Sequence, residues 1–107
     1  MNIVAVAACP TGVAHTYMAK KALEDAAKQL GHQIKVEAQG ALGIENEITK
    51  SEVEAADVVI LAIEVEIAKS YRFKNKPKVN LPINTVIKSP VKVLEKIEAK
   101  LKSQADQ

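Results

Sequence analysis

Two short apolar runs constrain this chain more than anything else in it: Ile3 to Ala8 (IVAVAA) and Val58 to Ile63 (VVILAI). Neither shows the polar alternation of a strand with one wet face, and both are far too short to cross a membrane. Unbroken runs of this length built from Val, Ile, Leu and Ala suit strands covered on both faces, the condition of a parallel sheet. The 107 residues suffice for one such domain, and a composition 48% hydrophobic but only 3% aromatic requires a core of aliphatic side chains. The first run lacks a basic leader, so it reads as a strand rather than a signal segment, and the chain is expected in the cytoplasm.

Helical patterns separate the strands. Between Ala14 and Leu30 the apolar residues Ala14, Met18, Ala22, Leu23, Ala26, Ala27 and Leu30 recur at three and four, and Gly31 is a natural stop. HQIKVEAQG (32–40) reads as a second strand and ALGIEN (41–46) as a loop. EITKSEVEAAD (47–57) carries a helix with Thr49 or Ser51 at its N-cap, and Glu52 stands three residues after Thr49, the spacing of a capping box. A short helical segment is expected around Val65 to Tyr71. VNLPIN (79–84) reads as another strand, confined by Pro82 to an edge or a strand end. SPVKVLEKIEAKL closes the chain as a helix, with Ser89 as cap, Pro90 at the first helical position and Val91, Leu94, Ile97 and Leu101 as its stripe.

This alternation predicts an α/β fold: an open four-stranded parallel sheet with right-handed crossovers and helices on both faces, Rossmann-like or flavodoxin-like. Residues 1–103 are expected to form one domain and 104–107 a flexible tail or the start of a linker. Nothing in the pattern demands more than a monomer.

The chain has one cysteine, so an internal disulfide is excluded, and no Cys/His cluster has metal-ligand spacing. That cysteine, Cys9, follows the first strand directly, in the loop where open parallel sheets bind ligands. The helix begins a few residues later, so the amides of Thr11 to His15 lack intrahelical acceptors, and Gly12 lets the backbone turn closely around a ligand. Such a loop cradles an anion, and the same field favours thiolate over thiol. A thiolate beside an oxyanion cradle suits attack on a phosphoryl group, with amides and the Thr11 and Thr16 hydroxyls holding the equatorial oxygens. His15 would add a proton or a positive charge.

Cysteine phosphatases use a similar loop, with Arg six residues after the nucleophile. Here that position is His15, and no Asp precedes a Pro to protonate a leaving alcohol. A low-molecular-weight phosphatase-like enzyme and a single-cysteine redox protein are therefore the alternatives to a carrier that accepts a phosphoryl group and keeps it. Net charge is +2, but residues 1–64 carry five basic and nine acidic side chains and residues 65–107 ten and four. The cluster RFKNKPK (72–78) reads chiefly as solvated lysines, with docking of an acidic protein surface as a further reading; with little aromatic surface for stacking, nucleic acid is not expected as a partner.

The segments ACPTGVAHTYMA (8–19), KVEAQGALG (35–43), ADVVILA (56–62) and RF (72–73) together resemble the fructose-class enzyme IIB domain of the bacterial phosphoenolpyruvate-dependent sugar phosphotransferase system, from Met1 to about Leu101. The resemblance implies the activity of a protein-phosphohistidine–sugar phosphotransferase. Cys9 would take the group from phosphohistidine on enzyme IIA and pass it to fructose, or a fructose- or mannose-like sugar, held by the membrane IIC domain. Pro10, Thr11, Gly12, Val13, Ala14, His15 and Thr16 would form the phosphoryl-binding loop, flanked by Gln39 and Gly40. Arg72 and Phe73 would follow the third strand, and the sheet order would be 2-1-3-4. Contact with the inner face of the cell membrane would come through IIC, with no metal and no cofactor. Ala38 and Glu64 stand where the family often has Thr and Asp, which leaves the loop chemistry intact. Glu37 and Glu64 are expected to be solvated carboxylates, since negative charge beside a phosphocysteine hinders loading.

Overall fold

A computed structural model describes residues 1–10, 13–40 and 43–105. Its strands are β1 (Asn2–Ala8), β2 (Gln33–Gly40), β3 (Gly43–Glu45), β4 (Val58–Ile63) and β5 (Lys78–Leu81). Its helices are α1 (Val13–Leu30), α2 (Lys50–Ala55), α3 (Ile83–Lys88) and α4 (Pro90–Ala105), with a 3-10 turn at Ser70–Phe73. The two apolar runs become the central strands β1 and β4, paired in parallel from Ile3 with Val58 to Ala8 with Ile63.

The sheet is five-stranded and mixed, in the order β3-β2-β1-β4-β5. This corrects the expected four-stranded, all-parallel sheet: ALGIEN is not wholly a loop, because Gly43–Glu45 pairs antiparallel with the end of β2. Gly43 sits at φ +96°, which only glycine adopts without strain. A three-residue strand offers no alternation to read. The segment expected as a helix over Val65 to Tyr71 is instead the later 3-10 turn Ser70–Phe73. The strand expected through 84 stops at Leu81, because Pro82 cannot donate to the ladder, and Pro82 is the N-cap of α3, an unforeseen helix. α4 starts at Pro90 as expected and runs to Ala105; Asp106 and Gln107 of the expected tail lie outside the described residues.

Alternation along each strand sorts the core into two layers. Ile3, Ala5 and Ala7 of β1 and Cys9 just after it, with Val58, Ile60 and Ala62 of β4, face α1, α3 and α4. Val4, Val6, Val59 and Leu61 face Ile48, Val53 of α2 and Phe73. The buried side of α1 is Ala19, Leu23, Ala26 and Ala27, whose small side chains let the helix lie close on the alanines of β1. The stripe read from the sequence was therefore partly wrong: Met18 is half exposed, because Ala19 rather than Met18 meets the sheet.

The second layer is tied together by a charge. Glu37, expected in solvent, is fully buried and paired with Arg72. Arg72 Nη1 donates to Glu37 Oε1 at 2.7 Å and Nη2 to Oε2 at 2.9 Å, a bidentate pair. The Ile48 amide adds a bond to Oε1 at 2.8 Å and Gln39 Nε2 one to Oε2 at 2.7 Å. Arg72 directs its remaining donors to the carbonyls of Ile48 (2.9 Å), Lys69 (2.8 Å) and Ala68 (3.5 Å), and its guanidinium lies 4.8 Å from the Phe73 ring centre. Burial alone would push the Glu37 carboxyl up, but the bonds from Arg72, Gln39 and Ile48 together outweigh it and hold the group below the ordinary carboxylate range.

Two predictions follow from these contacts. A carboxyl held below its ordinary value of 4.5 contributes stability that is present above that value and lost as pH falls through the lowered one. Glu37→Gln, which leaves a buried guanidinium without its counter-charge, should lower stability at neutral pH by about 3–5 kcal/mol and flatten the acid limb of the stability curve. Urea unfolding at a series of pH values between neutral and about 3 reads both effects, and parallel curves for the two proteins would contradict the assignment. Thr49 and Glu52 form the expected capping box of α2, so Thr49→Ala should cost about 1 kcal/mol in the same titration.

Candidate functional site

Cys9 lies at the carboxyl end of β1, at the point where the sheet changes direction. From β1 the chain crosses through α1 to β2 on one side; from β4 it crosses through the 3-10 turn to β5 on the other. The two departing connections leave a crevice above the strand ends, the usual ligand position in open α/β sheets. One wall is the end of β2, where Gln39 pairs with Ala8 in the ladder. The other is the end of β4, where the Glu64 amide donates to the Ala8 carbonyl at 3.1 Å.

Cys9 is 7% exposed and packs in the layer beneath α1. Of the expected loop residues, Pro10, Ala14 and His15 are exposed at the surface and Thr16 is buried. Thr11 and Gly12 lie outside the described residues. Thr16, Ala19 and Leu23 are spaced three and four apart and all buried, so Thr16 begins the sheet-facing side of α1 at the end nearest Cys9. Its hydroxyl, on a residue 2% exposed, has no hydrogen-bond partner among the described residues. A buried hydroxyl without a partner costs about 1–3 kcal/mol, so its retention needs a reason, and a ligand oxygen is one. The first amides of α1 lack intrahelical acceptors and add donors to the same place.

The flanking pair behaves differently from expectation. Gly40 ends β2 at the surface, and the Gln39 backbone stands beside Ala8. The Gln39 side chain, however, is on the opposite face from Cys9, where its amide bonds Glu37 and both backbone groups of Ala68. Arg72 is likewise engaged with Glu37 and cannot reach an anion at Cys9. Nor are the other cations of the basic cluster all at large: Lys76 bonds the carbonyls of Glu54 and Ala56, and Lys78 those of Phe73, Lys74 and Lys76. Ala68 and Ile48 were invisible as participants because each acts through its backbone.

A cavity of about 640 Å³ lies on the second face, between α2 and the 3-10 turn, lined in part by Ile48, Val53, Tyr71 and Arg72. Neither Cys9 nor any described loop residue lines it, and three of its cations, Lys69, Arg72 and Lys76, are bonded within the chain. Among the described residues no helix is long and apolar enough to cross a membrane.

Comparison with known proteins identifies the family. A family model described as "PTS system, Lactose/Cellobiose specific IIB subunit" matches residues 4–96. The chain is 48% identical over 104 residues to "PTS system fructose-like EIIB component 2" of Escherichia coli strain K12, covering 97% of this chain and 98% of that protein. It is 44% identical over 95 residues to the "PTS system fructose-specific EIIABC component" of Bacillus subtilis strain 168, covering 89% of this chain and 15% of that longer protein. The solution structure of an enzyme IIB subunit of the PTS from Escherichia coli K12 superposes with a TM-score of 0.91 at 34% identity, covering 97% of this chain and 96% of that one. A crystallised domain of a fructose-specific IIABC component from Borrelia burgdorferi superposes with a TM-score of 0.82 at 44% identity, covering 87% and 88%. By sequence and by fold, this chain belongs to the enzyme IIB family of the sugar phosphotransferase system.

Proposed function

We propose that this chain is the IIB phosphocarrier of a fructose-like phosphotransferase system, with Cys9 as the residue that carries the phosphoryl group. The observation that supports this most is a cysteine sulfur at the switch point of the sheet, packed under α1, whose first turn carries a buried Thr16 hydroxyl without a partner among the described residues. In loading, the Cys9 thiolate attacks phosphorus in line; the S–P bond forms as the N–P bond to the donor histidine of IIA breaks, and the donor ring, protonated at its other nitrogen, leaves as neutral imidazole. The first amides of α1 and the Thr16 hydroxyl hold the equatorial oxygens, on which transition-state charge accumulates. In unloading, a sugar hydroxyl oxygen attacks, the S–P bond breaks, the sulfur recovers its charge and the hydroxyl proton is released.

The same geometry argues for a carrier over a phosphatase. The chain has one arginine, and it is locked to Glu37 on the other face of the sheet, so no guanidinium grips the phosphoryl group. Neutral donors hold it less tightly and let it move on. The single cysteine offers no intramolecular resolving thiol, which disfavours the redox alternative. IIA and the membrane IIC, with its sugar, are the partners in this reading, which places the domain at the cytoplasmic face of the membrane. The A, B and C in the name of the longer Bacillus subtilis relative support that choice. Residues 1–103 act as one carrier domain, whether separate or fused. Fructose is favoured over lactose or cellobiose because the full-length relative at 48% identity is named fructose-like.

Incubation with phosphoenolpyruvate, enzyme I, HPr and a fructose-class IIA should raise the intact mass by one phosphoryl group, and Cys9→Ser should abolish the gain. No gain with a demonstrably loaded IIA would count against the reading, and hydrolysis of aryl phosphate would favour the phosphatase. Thr16→Val keeps the shape and removes the hydroxyl. It should leave thermal stability unchanged or higher while slowing phosphotransfer by about a hundredfold, the usual cost of one lost oxyanion donor; equal loss of both would make Thr16 structural only.

A further inference from the structure

The second face holds a side-chain strap that the carrier chemistry described above does not use. Gln39 leaves β2 on that face, and its amide meets Ala68, which belongs to the segment leaving β4. Oε1 accepts from the Ala68 amide at 2.8 Å, and Nε2 donates to the Ala68 carbonyl at 3.0 Å and to Glu37 Oε2 at 2.7 Å. Because β1 lies between β2 and β4, this bridge spans the carboxyl end of β1. The β1 residue at the level of Gln39 is Ala8, the one before Cys9. Alternation puts the Ala8 side chain on the strap's face and Cys9 on the other, and the small Ala8 leaves room for the bridge.

Every part of the strap is oriented by another part. Glu37 can only accept, so it fixes which end of the Gln39 amide is nitrogen, and Glu37 is itself fixed by both arms of Arg72. Arg72 then returns to the same segment through the Lys69 carbonyl at 2.8 Å. The segment is also tied to β1 directly, through the Glu64 amide on the Ala8 carbonyl at 3.1 Å. The end of β1 is thus gripped from both neighbouring strands, one residue before the nucleophile.

We infer that Gln39 is a positioning residue for Cys9: its bridge from Glu37 to Ala68 fixes the end of β1 and so the direction in which the Cys9 sulfur meets phosphorus. This rests on the reading that Cys9 carries the phosphoryl group. It differs from a role for Gln39 as a ligand of that group, because the amide is engaged on the opposite face. In-line attack tolerates little misalignment, and a displacement of about 1 Å at the reacting atom can cost on the order of a hundredfold in rate.

The test compares wild type, Gln39→Ala and Gln39→Glu in two assays: single-turnover phosphotransfer from phosphorylated IIA over a range of donor concentrations, and alkylation of Cys9 by iodoacetamide. Gln39→Ala should lower the saturating transfer rate at least tenfold with donor half-saturation unchanged within about twofold, and should raise the alkylation rate as the end of β1 loosens around a buried sulfur. Gln39→Glu can donate to Glu37 or Ala68 only when protonated. It should be slow at neutral pH and recover relative to wild type as pH falls, a signature that general destabilisation does not produce. A wild-type saturating rate in Gln39→Ala overturns the inference whatever its alkylation rate or melting temperature. A wild type that takes no phosphoryl group overturns the functional reading instead, and the alkylation rate then decides whether the strap positions the thiol.

Discussion

The buried pair of Glu37 and Arg72 is the contact on which the crevice end of this fold depends. Glu37 stands on β2, the acceptor carbonyl and donor amide of Ile48 precede α2, and Arg72 follows β4, so one carboxylate gathers three parts of the chain that are distant in sequence. Removing both charges from water is costly, and the cost is met because four hydrogen bonds converge on the carboxylate. An apolar pair of similar volume would fill the same space without specifying which backbone groups lie beside it. Here the requirement that each donor find its acceptor fixes the connections on either side of Cys9 to within hydrogen-bond tolerance.

That arrangement clarifies the division of labour between the two faces. The first face, with α1 over β1, carries Cys9 and the buried Thr16 hydroxyl, the groups to which the proposed chemistry is assigned. The second holds the strands in place and carries the only arginine inward, away from the site. A carrier must bind a phosphoryl group well enough to receive it and loosely enough to surrender it. Neutral donors around a thiolate meet that requirement better than a bidentate guanidinium, which would stabilise the loaded state.

Much of this was legible in the sequence. The unbroken runs at Ile3–Ala8 and Val58–Ile63 were enough to specify two buried parallel strands, and their position made Cys9 the first residue of a switch-point loop. Thr49 with Glu52, and Ser89 with Pro90, marked helix starts because capping is local chemistry written in adjacent residues. What stayed hidden depends on contacts between distant residues. Glu37 looked solvated because nothing near it in sequence shows that Arg72, 35 residues later, closes over it. Gln39 was noticed for its position next to the loop, but its side chain faces away, a fact set by strand alternation once the register with β1 is known. Met18 was placed in the core because Ala19 is too small to stand out in a hydrophobic pattern, although the sheet can accept only the smaller residue there. β3 was missed because three residues carry no period.

The central claim, that a sulfur and not a ring nitrogen carries the group, is tested most directly by phosphorus-31 NMR of the protein loaded from phosphorylated IIA. His15 is the other nucleophile of the loop and is exposed. One protein-bound S-phosphoryl resonance is expected, which disappears when membranes containing the IIC component and its sugar are added. A resonance of an N-phosphoryl group on His15, with no S-phosphoryl signal, would contradict it.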